Sequence, residues 1–130
     1  MMRCRGIRGA TVAEANEAAA ILQATRELLE SIVAANEVAA DDLAAVIFTA
    51  TPDLDAAYPA RAARDMGWTH VPLICAQEMT VAGSLPRCIR VLVLWNTELP
   101  VQDIRHVYLG EAQALRPDLA ADGDTPYSLR

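Results

Sequence analysis

The chain has 130 residues, of which 53% are hydrophobic, and its formal net charge is −6. This length predicts a single domain whose core is large enough to fold without disulfides or a structural metal, and the apolar content excludes a disordered chain. The acidic balance argues against a broad nucleic-acid-binding or anionic-membrane-binding surface. All 11 basic residues are arginines, for which codon bias is the simplest explanation.

The N-terminal half of the sequence predicts alternating strands and helices. Asn16 is a suitable N-cap, and apolar residues then recur at helical spacing as far as Val33. Proline at the start and Gly67 at the end bound a second helix. The predicted elements are a strand over residues 3–10, a helix from Asn16 to about Asn36, a helical turn over 41–44, a strand over 45–50 and a helix over 59–66.

The C-terminal half predicts three more strands. They cover residues 71–75, 88–95 and 104–109, and a helical turn follows over 111–115. Pro72 indicates that the first of these strands starts at a sheet edge or at a strand end. The predicted fold is therefore α+β, a mixed five-stranded sheet with two main helices on one face. Because the other face would stay uncovered, we expect an oligomer.

Two arginines interrupt apolar strands. Apart from Arg90, residues 88–95 are apolar, which is typical of a strand buried on both faces. Arg8 lies among small and apolar residues near the N-terminus. A buried, unpaired guanidinium is unfavourable by several kcal/mol, so an anionic ligand is one way to compensate both arginines. The structural alternatives are a buried ion pair of Arg90 with Glu78 and an Arg8 side chain that leans out of an edge strand.

The remaining polar residues match no motif for covalent or metal chemistry. The sequence contains no GxSxG, no glycine-rich phosphate loop and no zinc-type spacing of its three cysteines and two histidines. We therefore expect no metal and no cofactor. Tyr108 and Cys75 could be ordinary core residues, Arg64 a solvated helix residue, and both histidines structural. The absence of a signal-peptide pattern and the unpaired cysteines predict a soluble, cytoplasmic protein without membrane contact.

Six segments, in the same order from Arg5 to about Leu119, resemble one known family. They are RGIRGAT at 5–11, ATPDL at 50–54, VPLICAQEM at 71–79, CIRV at 88–91, IRHVYL at 104–109 and LRPDL at 115–119. The chain resembles the monofunctional chorismate mutases of the trimeric α/β-barrel type, which are distinct from the all-helical ones. The resemblance implies a catalytic domain over residues 1–119, and we expect residues 120–130 to form a mobile tail.

The resemblance also implies a ferredoxin-like homotrimer with a pseudo-α/β-barrel core, whose sites for chorismate lie between subunits. It implies the rearrangement of chorismate to prephenate, on the way to phenylalanine and tyrosine. The implied catalytic residues are Arg90, Arg8, Glu78, Tyr108 and Cys75. The implied substrate-binding residues are Ile74, Ala76, Gln77, Tyr58, Ala60, Arg64, Leu115 and Arg116. Of these, Tyr58, Ala60 and Arg64 would come from the neighbouring subunit.

Three differences from the family pattern stand out. Tyr58 replaces a common phenylalanine, the segment around Met66 and Gly67 is one residue shorter than in some relatives, and the tail beyond Leu119 shows no useful resemblance to the family. Two other functions stay open at this point. A deaminase of the Rid type shares this kind of fold and an arginine at subunit clefts, although its motifs are absent. A non-catalytic amino-acid sensor with a ferredoxin-like sheet would bind phenylalanine or tyrosine without turnover.

Overall fold

The computed structural model describes residues 1–116, which form five strands and two helices in the order β-α-β-α-β-β-β that the sequence predicts. The strands are β1 (Arg3–Val12), β2 (Leu43–Ala50), β3 (Leu73–Gln77), β4 (Cys88–Thr97) and β5 (Val107–Tyr108). The helices are α1 (Ala18–Asn36) and α2 (Ala60–Asp65). Short 3-10 turns cover Ala40–Asp42, Val101–Asp103 and Gly110–Leu115.

The strands form one mixed sheet in the order β3-β2-β4-β1-β5. β4 is antiparallel to both of its neighbours, β1 and β2, while β3 and β5 run parallel to the strands beside them. The prediction for Pro72 is confirmed, because it directly precedes the edge strand β3. Its carbonyl still accepts a hydrogen bond from the Val46 N–H at 2.9 Å, which extends the β2–β3 pairing by one bond.

Both helices pack on one face of the sheet, and the main core lies between the layers. The predicted apolar spacing of α1 is confirmed, since Leu28, Leu29 and Ile32 are buried against the sheet. Gly9 of β1 permits this close packing. A Cβ atom there would lie 2.9 Å from Ile32 Cδ1 and 3.1 Å from Val91 Cγ1, so a larger residue would push α1 away.

The opposite face of the sheet, called the open face below, is uncovered over most of its area. β4 alternates, with Val91 and Val93 buried in the core while Arg90 and Leu92 lie on the open face. The expectation that this strand is buried on both faces is therefore wrong for the single chain. Leu92 is 37% exposed and Ile74 of β3 is 60% exposed on the same face.

Asn16 does not have its predicted role as a helix cap. The N-cap of α1 is Glu17, which makes no side-chain capping bond. Asn16 instead holds the loop after β2, because its Oδ1 accepts the N–H groups of Asp55 and Ala56 at 3.0 and 3.1 Å. Its Nδ2 donates to Asp55 Oδ1 at 2.8 Å. An amide with two donors and an acceptor suits a loop clamp as well as a cap.

The fifth strand is shorter than predicted, with two residues instead of the expected six over 104–109. Ile104 is buried in the main core, and the backbone of Arg105 is bound by Asn36 of α1, so this stretch cannot pair with β1. Within residues 1–116 no helix is both long and apolar enough to cross a membrane. The predicted tail over 120–130 lies outside the described residues.

Candidate functional site

Two predicted arginines and a predicted tyrosine lie together on the open face. Arg90 of β4 pairs in register with Ala10 of β1, and Tyr108 of β5 pairs with Ala10 from the other side. Arg8 lies two residues before Ala10 on the same strand and therefore on the same face. The sheet thus brings together Arg8, Arg90 and Tyr108, which are far apart in the sequence.

Glu78 follows the end of β3 and reaches Arg90 across β2. Its backbone N–H donates to the Ala50 carbonyl at 2.9 Å, which keeps it in line with the strand. Its Oε2 lies 3.6 Å from Nε of Arg90, and the side chains of Arg90 and Glu78 are 44% and 29% exposed. The ion pair considered as a structural alternative therefore exists, but it is accessible to solvent and not buried.

Thr49 is a third member of this polar group and was not among the site residues predicted from the sequence. Its hydroxyl donates to Glu78 Oε2 at 2.6 Å, and Thr49 is the register partner of Arg90 on β2. A polar residue inside the apolar stretch 45–50 is the same signal that singled out Arg90. The same signal in β2 therefore indicates Thr49.

The backbone of Arg8 is held by the segment that leads into β5. Its N–H donates to Nδ1 of His106 at 2.9 Å, so Nδ1 is the unprotonated nitrogen of a neutral imidazole. The residue before His106 is held by Asn36, whose Oδ1 accepts from the Arg105 N–H and whose Nδ2 donates to the Arg105 carbonyl, both at 2.9 Å. His106 and Asn36 thus anchor Arg8 to the end of α1.

The turn after β5 packs over the outer end of the open face. Tyr108, only 9% exposed, contacts Ala10 and Ala112, and Leu115 is partly buried against this cluster. Arg116 is half-buried and is the last described residue. Leu115 is therefore close to Tyr108. The rest of the LRPDL segment lies outside the described residues.

A cavity of about 610 Å³ opens beside the edge strand β3. It is walled by the ends of β2 and β3, the loop after β2 and the first turn of α2. The predicted residues that line it are Tyr58, Arg64, Cys75, Ala76 and Gln77. Tyr58 is 72% exposed, so its hydroxyl can reach solvent. Arg61 also lines this cavity and was not among the predicted site residues, because it has the pattern of an ordinary solvated helix residue.

Alternation along β3 places its predicted site residues on opposite faces of the sheet. Ile74 and Ala76 are register partners of Ile47 and Thr49 on the open face, whereas Cys75 is the partner of Phe48 on the helix side. Ala60 is 4% exposed and belongs to the main core, where it supports the start of α2. Because Thr49 and Ala76 of the open face also line the cavity, the polar side chains of the open face adjoin the cavity at the edge of the sheet.

A hydrogen-bonded clasp, formed by Thr51, Asp53 and Arg87, holds the start of β4 against the end of β2. Asp53 accepts from the Thr51 hydroxyl at 2.5 Å and from the Arg87 N–H at 2.9 Å. The Thr51 hydroxyl accepts the Cys88 N–H at 2.9 Å. Arg87 has a φ of 50°, a left-handed conformation that is uncommon for a residue other than glycine. The clasp fixes the chain just before Arg90.

We expect Asp53→Asn to lower the unfolding temperature at neutral pH and to weaken its dependence on acid. The Thr51 hydroxyl, with help from the Arg87 N–H, lowers the pKa of the Asp53 carboxyl. Because this pKa is lower in the folded state, the ionised carboxylate stabilises the fold at pH values above its pKa in the unfolded chain, which is about 4. This stabilisation is lost as the pH falls through the pKa of the folded state. Thermal unfolding between pH 7 and pH 2, with the exposed Asp103→Asn as control, measures this. Identical pH profiles for Asp53→Asn and the wild type would contradict it.

The cysteines of the chain are free thiols at Cys4, Cys75 and Cys88. Burial raises the pKa of the Cys88 thiol, although the neighbouring Arg90 guanidinium acts in the opposite direction. Cys88 is therefore a neutral thiol at neutral pH. Among residues 1–116, no three His, Cys, Asp or Glu side chains come together as metal ligands. The arginines of the open face and the cavity supply fixed guanidinium charges, which suit carboxylate binding.

The fold and site together define a small α+β protein whose arginines can bind a carboxylate-bearing anion, and comparison with known proteins identifies its family. The family model "Chorismate mutase type I" matches residues 4–119. The chain is 58% identical over 116 residues to chorismate mutase AroH of Thermus thermophilus, a match that covers 88% of this chain and 95% of the relative. It is 46% identical over 125 residues to chorismate mutase AroH of Bacillus subtilis, covering 95% and 98%.

A solved structure agrees with these sequence matches. A chorismate mutase from Clostridium thermocellum superimposes with a TM-score of 0.83 at 48% identity, covering 84% of this chain and 97% of that one. The chain therefore belongs to the type I chorismate mutase family, and its enzyme class is that of an isomerase. The resemblance stated from the sequence is confirmed.

Proposed function

We propose that the chain converts chorismate to prephenate by a pericyclic rearrangement without a covalent intermediate, and that this step serves phenylalanine and tyrosine biosynthesis. The observation that carries the proposal is the exposed Arg90 guanidinium, which is paired with Glu78 and lies on the same sheet face as Arg8 and Tyr108. Chorismate is a dianion, so fixed cations suit it. In its rearrangement one C–O bond breaks as one C–C bond forms, and no proton is transferred.

The first contribution to catalysis is selection of the reactive conformer. The flexible side chain of chorismate must fold over the ring before the new bond can form. Arg8, with help from Tyr108, would bind the side-chain carboxylate, and Arg90 would bridge to the same group. Since the Arg8 backbone is anchored through His106, its guanidinium works from a rigid strand. Holding the two reacting ends together is a proximity effect.

The second contribution is electrostatic. Negative charge develops on the ether oxygen as its bond to carbon stretches, and Arg90 would stabilise that charge. Nε of Arg90 is the atom next to Glu78. The two terminal nitrogens can form a fork to a carboxylate or oxyanion. Because this charge exists mainly in the transition state, the interaction would raise kcat and not only the affinity.

The other predicted residues would bind the rest of the substrate. Glu78 and the Cys75 segment would hydrogen-bond the ring hydroxyl, with backbone contacts from Ile74, Ala76 and Gln77. The ring carboxylate would meet either Arg64 or Arg116 near the mouth of the pocket. Tyr58 and Ala60 would contribute from a neighbouring subunit, and Leu115 would close the side near Tyr108.

We propose that the active form is a homotrimer whose sites lie between subunits. In support, Ile74 and Leu92 expose apolar side chains on the open face beside the charged group, a surface that a second copy could cover. A neighbouring subunit that brings its Tyr58 and Arg64 to this face would complete an enclosed pocket. The cytoplasmic location stays a prediction from the sequence.

The test is the loss of chorismate ultraviolet absorbance with purified protein, combined with chromatographic detection of prephenate and sedimentation to determine the oligomeric state. We expect rapid loss that yields prephenate from a trimeric protein. A folded trimer that leaves chorismate unchanged would show that the fold is shared without the chemistry. An active monomer would overturn the proposed subunit interface alone.

A further inference from the structure

We infer that Thr49 is a positioning residue for this reaction, whose hydroxyl keeps the Glu78 carboxylate from closing onto the Arg90 guanidinium. The inference rests on the proposed function, because it concerns how Arg90 stays available to the substrate. Thr49 and Arg90 are register partners on β2 and β4, so both side chains rise from the open face at the same level. Glu78 directly follows β3, on the far side of Thr49 from Arg90.

The distances describe a carboxylate with two competing partners. The Thr49 hydroxyl donates to Glu78 Oε2 at 2.6 Å, the short distance of a charge-assisted hydrogen bond. The same Oε2 atom lies 3.6 Å from Nε of Arg90, which is beyond hydrogen-bonding distance. A carboxylate and a guanidinium without other restraints approach to about 2.8 Å and often pair through two parallel bonds. The strong bond to Thr49 therefore accounts for the wider spacing.

This spacing matters for the chemistry assigned to Arg90. At 3.6 Å Glu78 still orients the guanidinium, but it does not occupy the N–H groups that the substrate needs. A Glu78 carboxylate released from Thr49 would be free to form the direct pair with Arg90. The cation would then be largely neutralised by its own neighbour, and Glu78 would lose its contact with the ring hydroxyl. Both changes weaken transition-state stabilisation.

Two substitutions separate the hydroxyl from the shape of the side chain. Thr49→Val keeps the β-branched form that suits a strand but removes the donor, while Thr49→Ser keeps the donor and loses a methyl group. We expect Thr49→Val to lower kcat/KM for chorismate about 10-fold, as for one hydrogen bond to a charged group, with the loss mainly in kcat. Thr49→Ser should keep a rate near that of the wild type.

A double-mutant cycle distinguishes positioning from general support of the sheet. If Thr49 acts through Glu78, then Thr49→Val has no further effect on kcat/KM in a Glu78→Ala background. A residue that only supports β2 would lower activity by the same factor in both backgrounds. Thr25→Val is the matched control, because its hydroxyl donates to the Ile21 carbonyl inside α1, away from the open face. It should leave kcat/KM unchanged.

The wild type is measured first, so that two kinds of failure stay distinct. No turnover by the wild type would overturn the proposed function and the role of Thr49 with it. If the wild type turns chorismate over and a folded Thr49→Val is equally active, only the role of Thr49 is overturned. The same holds if Thr49→Val lowers kcat/KM by the same factor in the wild-type and Glu78→Ala backgrounds. If Thr49→Val does not fold, Thr49→Ala replaces it in the same cycle. A crystal structure of the folded variant should show Glu78 hydrogen-bonded directly to Arg90.

Discussion

Arg90→Ala is expected to lower kcat/KM for chorismate by about 10² to 10³, since a preorganised charged donor typically contributes about 3–4 kcal/mol to a transition state. The side chain is 44% exposed and its ion pair with Glu78 is accessible to solvent, so the substitution should hardly change the free energy of unfolding. Chorismate turnover and thermal unfolding, measured on the same preparation, separate the two effects. The loss should be mainly in kcat.

Two further variants make this test specific. Arg90→Lys keeps the positive charge but lacks the planar fork, so most of the activity should still be lost. Arg26→Ala removes an exposed arginine of α1 that pairs with Glu30 at 3.1 Å, and it should keep the wild-type rate. A folded Arg90→Ala that turns chorismate over as fast as the wild type would show that Arg90 does not stabilise the transition state.

Phe48→Ala is expected to lower the free energy of unfolding by about 3–5 kcal/mol. Phe48 is fully buried in the middle of β2 and belongs to the main core beneath both helices. The substitution removes contacts to both layers and leaves a void that the surrounding strands can fill only partly. Urea unfolding followed by circular dichroism, at one fixed chain concentration, measures the change.

The controls are a smaller change at the same position and a similar change on the surface. Phe48→Leu keeps an apolar side chain and should lose less stability. Val101→Ala removes apolar atoms from a side chain that is 47% exposed, and it should change stability by no more than about 0.5 kcal/mol. A Phe48→Ala loss as small as that of Val101→Ala would mean that the helices do not pack on β2 as described.

The element order and the helix-covered face could be predicted from the sequence, because they depend on local patterns. The spacing of apolar residues in α1 and the proline before β3 both determine structure within a few residues. The start of the fifth strand could not be predicted in this way. It depends on Asn36, which binds the backbone of Arg105 across 69 positions of the chain.

The candidate site shows a similar division. An arginine in an apolar strand is a local signal, and it drew attention to Arg90 and Arg8, which lie on the same face of the sheet. Which face a side chain occupies depends on register, and a shift of one residue reverses it. Alternation places the adjacent residues Ile74 and Cys75 on opposite faces, but only the register with β2 shows that Ile74 is the one on the open face. The role proposed for the Thr49 hydroxyl depends on Glu78 and Arg90, which the neighbouring strands β3 and β4 bring to either side of it.

The position of β1 between β4 and β5 has a consequence for how the chain is made. β1 leaves the ribosome before β4 and β5, the two strands that it pairs with, and β2 also depends on β4. Until residues 88–97 emerge, both early strands lack their antiparallel partner, and contacts this distant in sequence form slowly. During synthesis the apolar sides of α1 and β2 are therefore exposed, and a chaperone would bind to them.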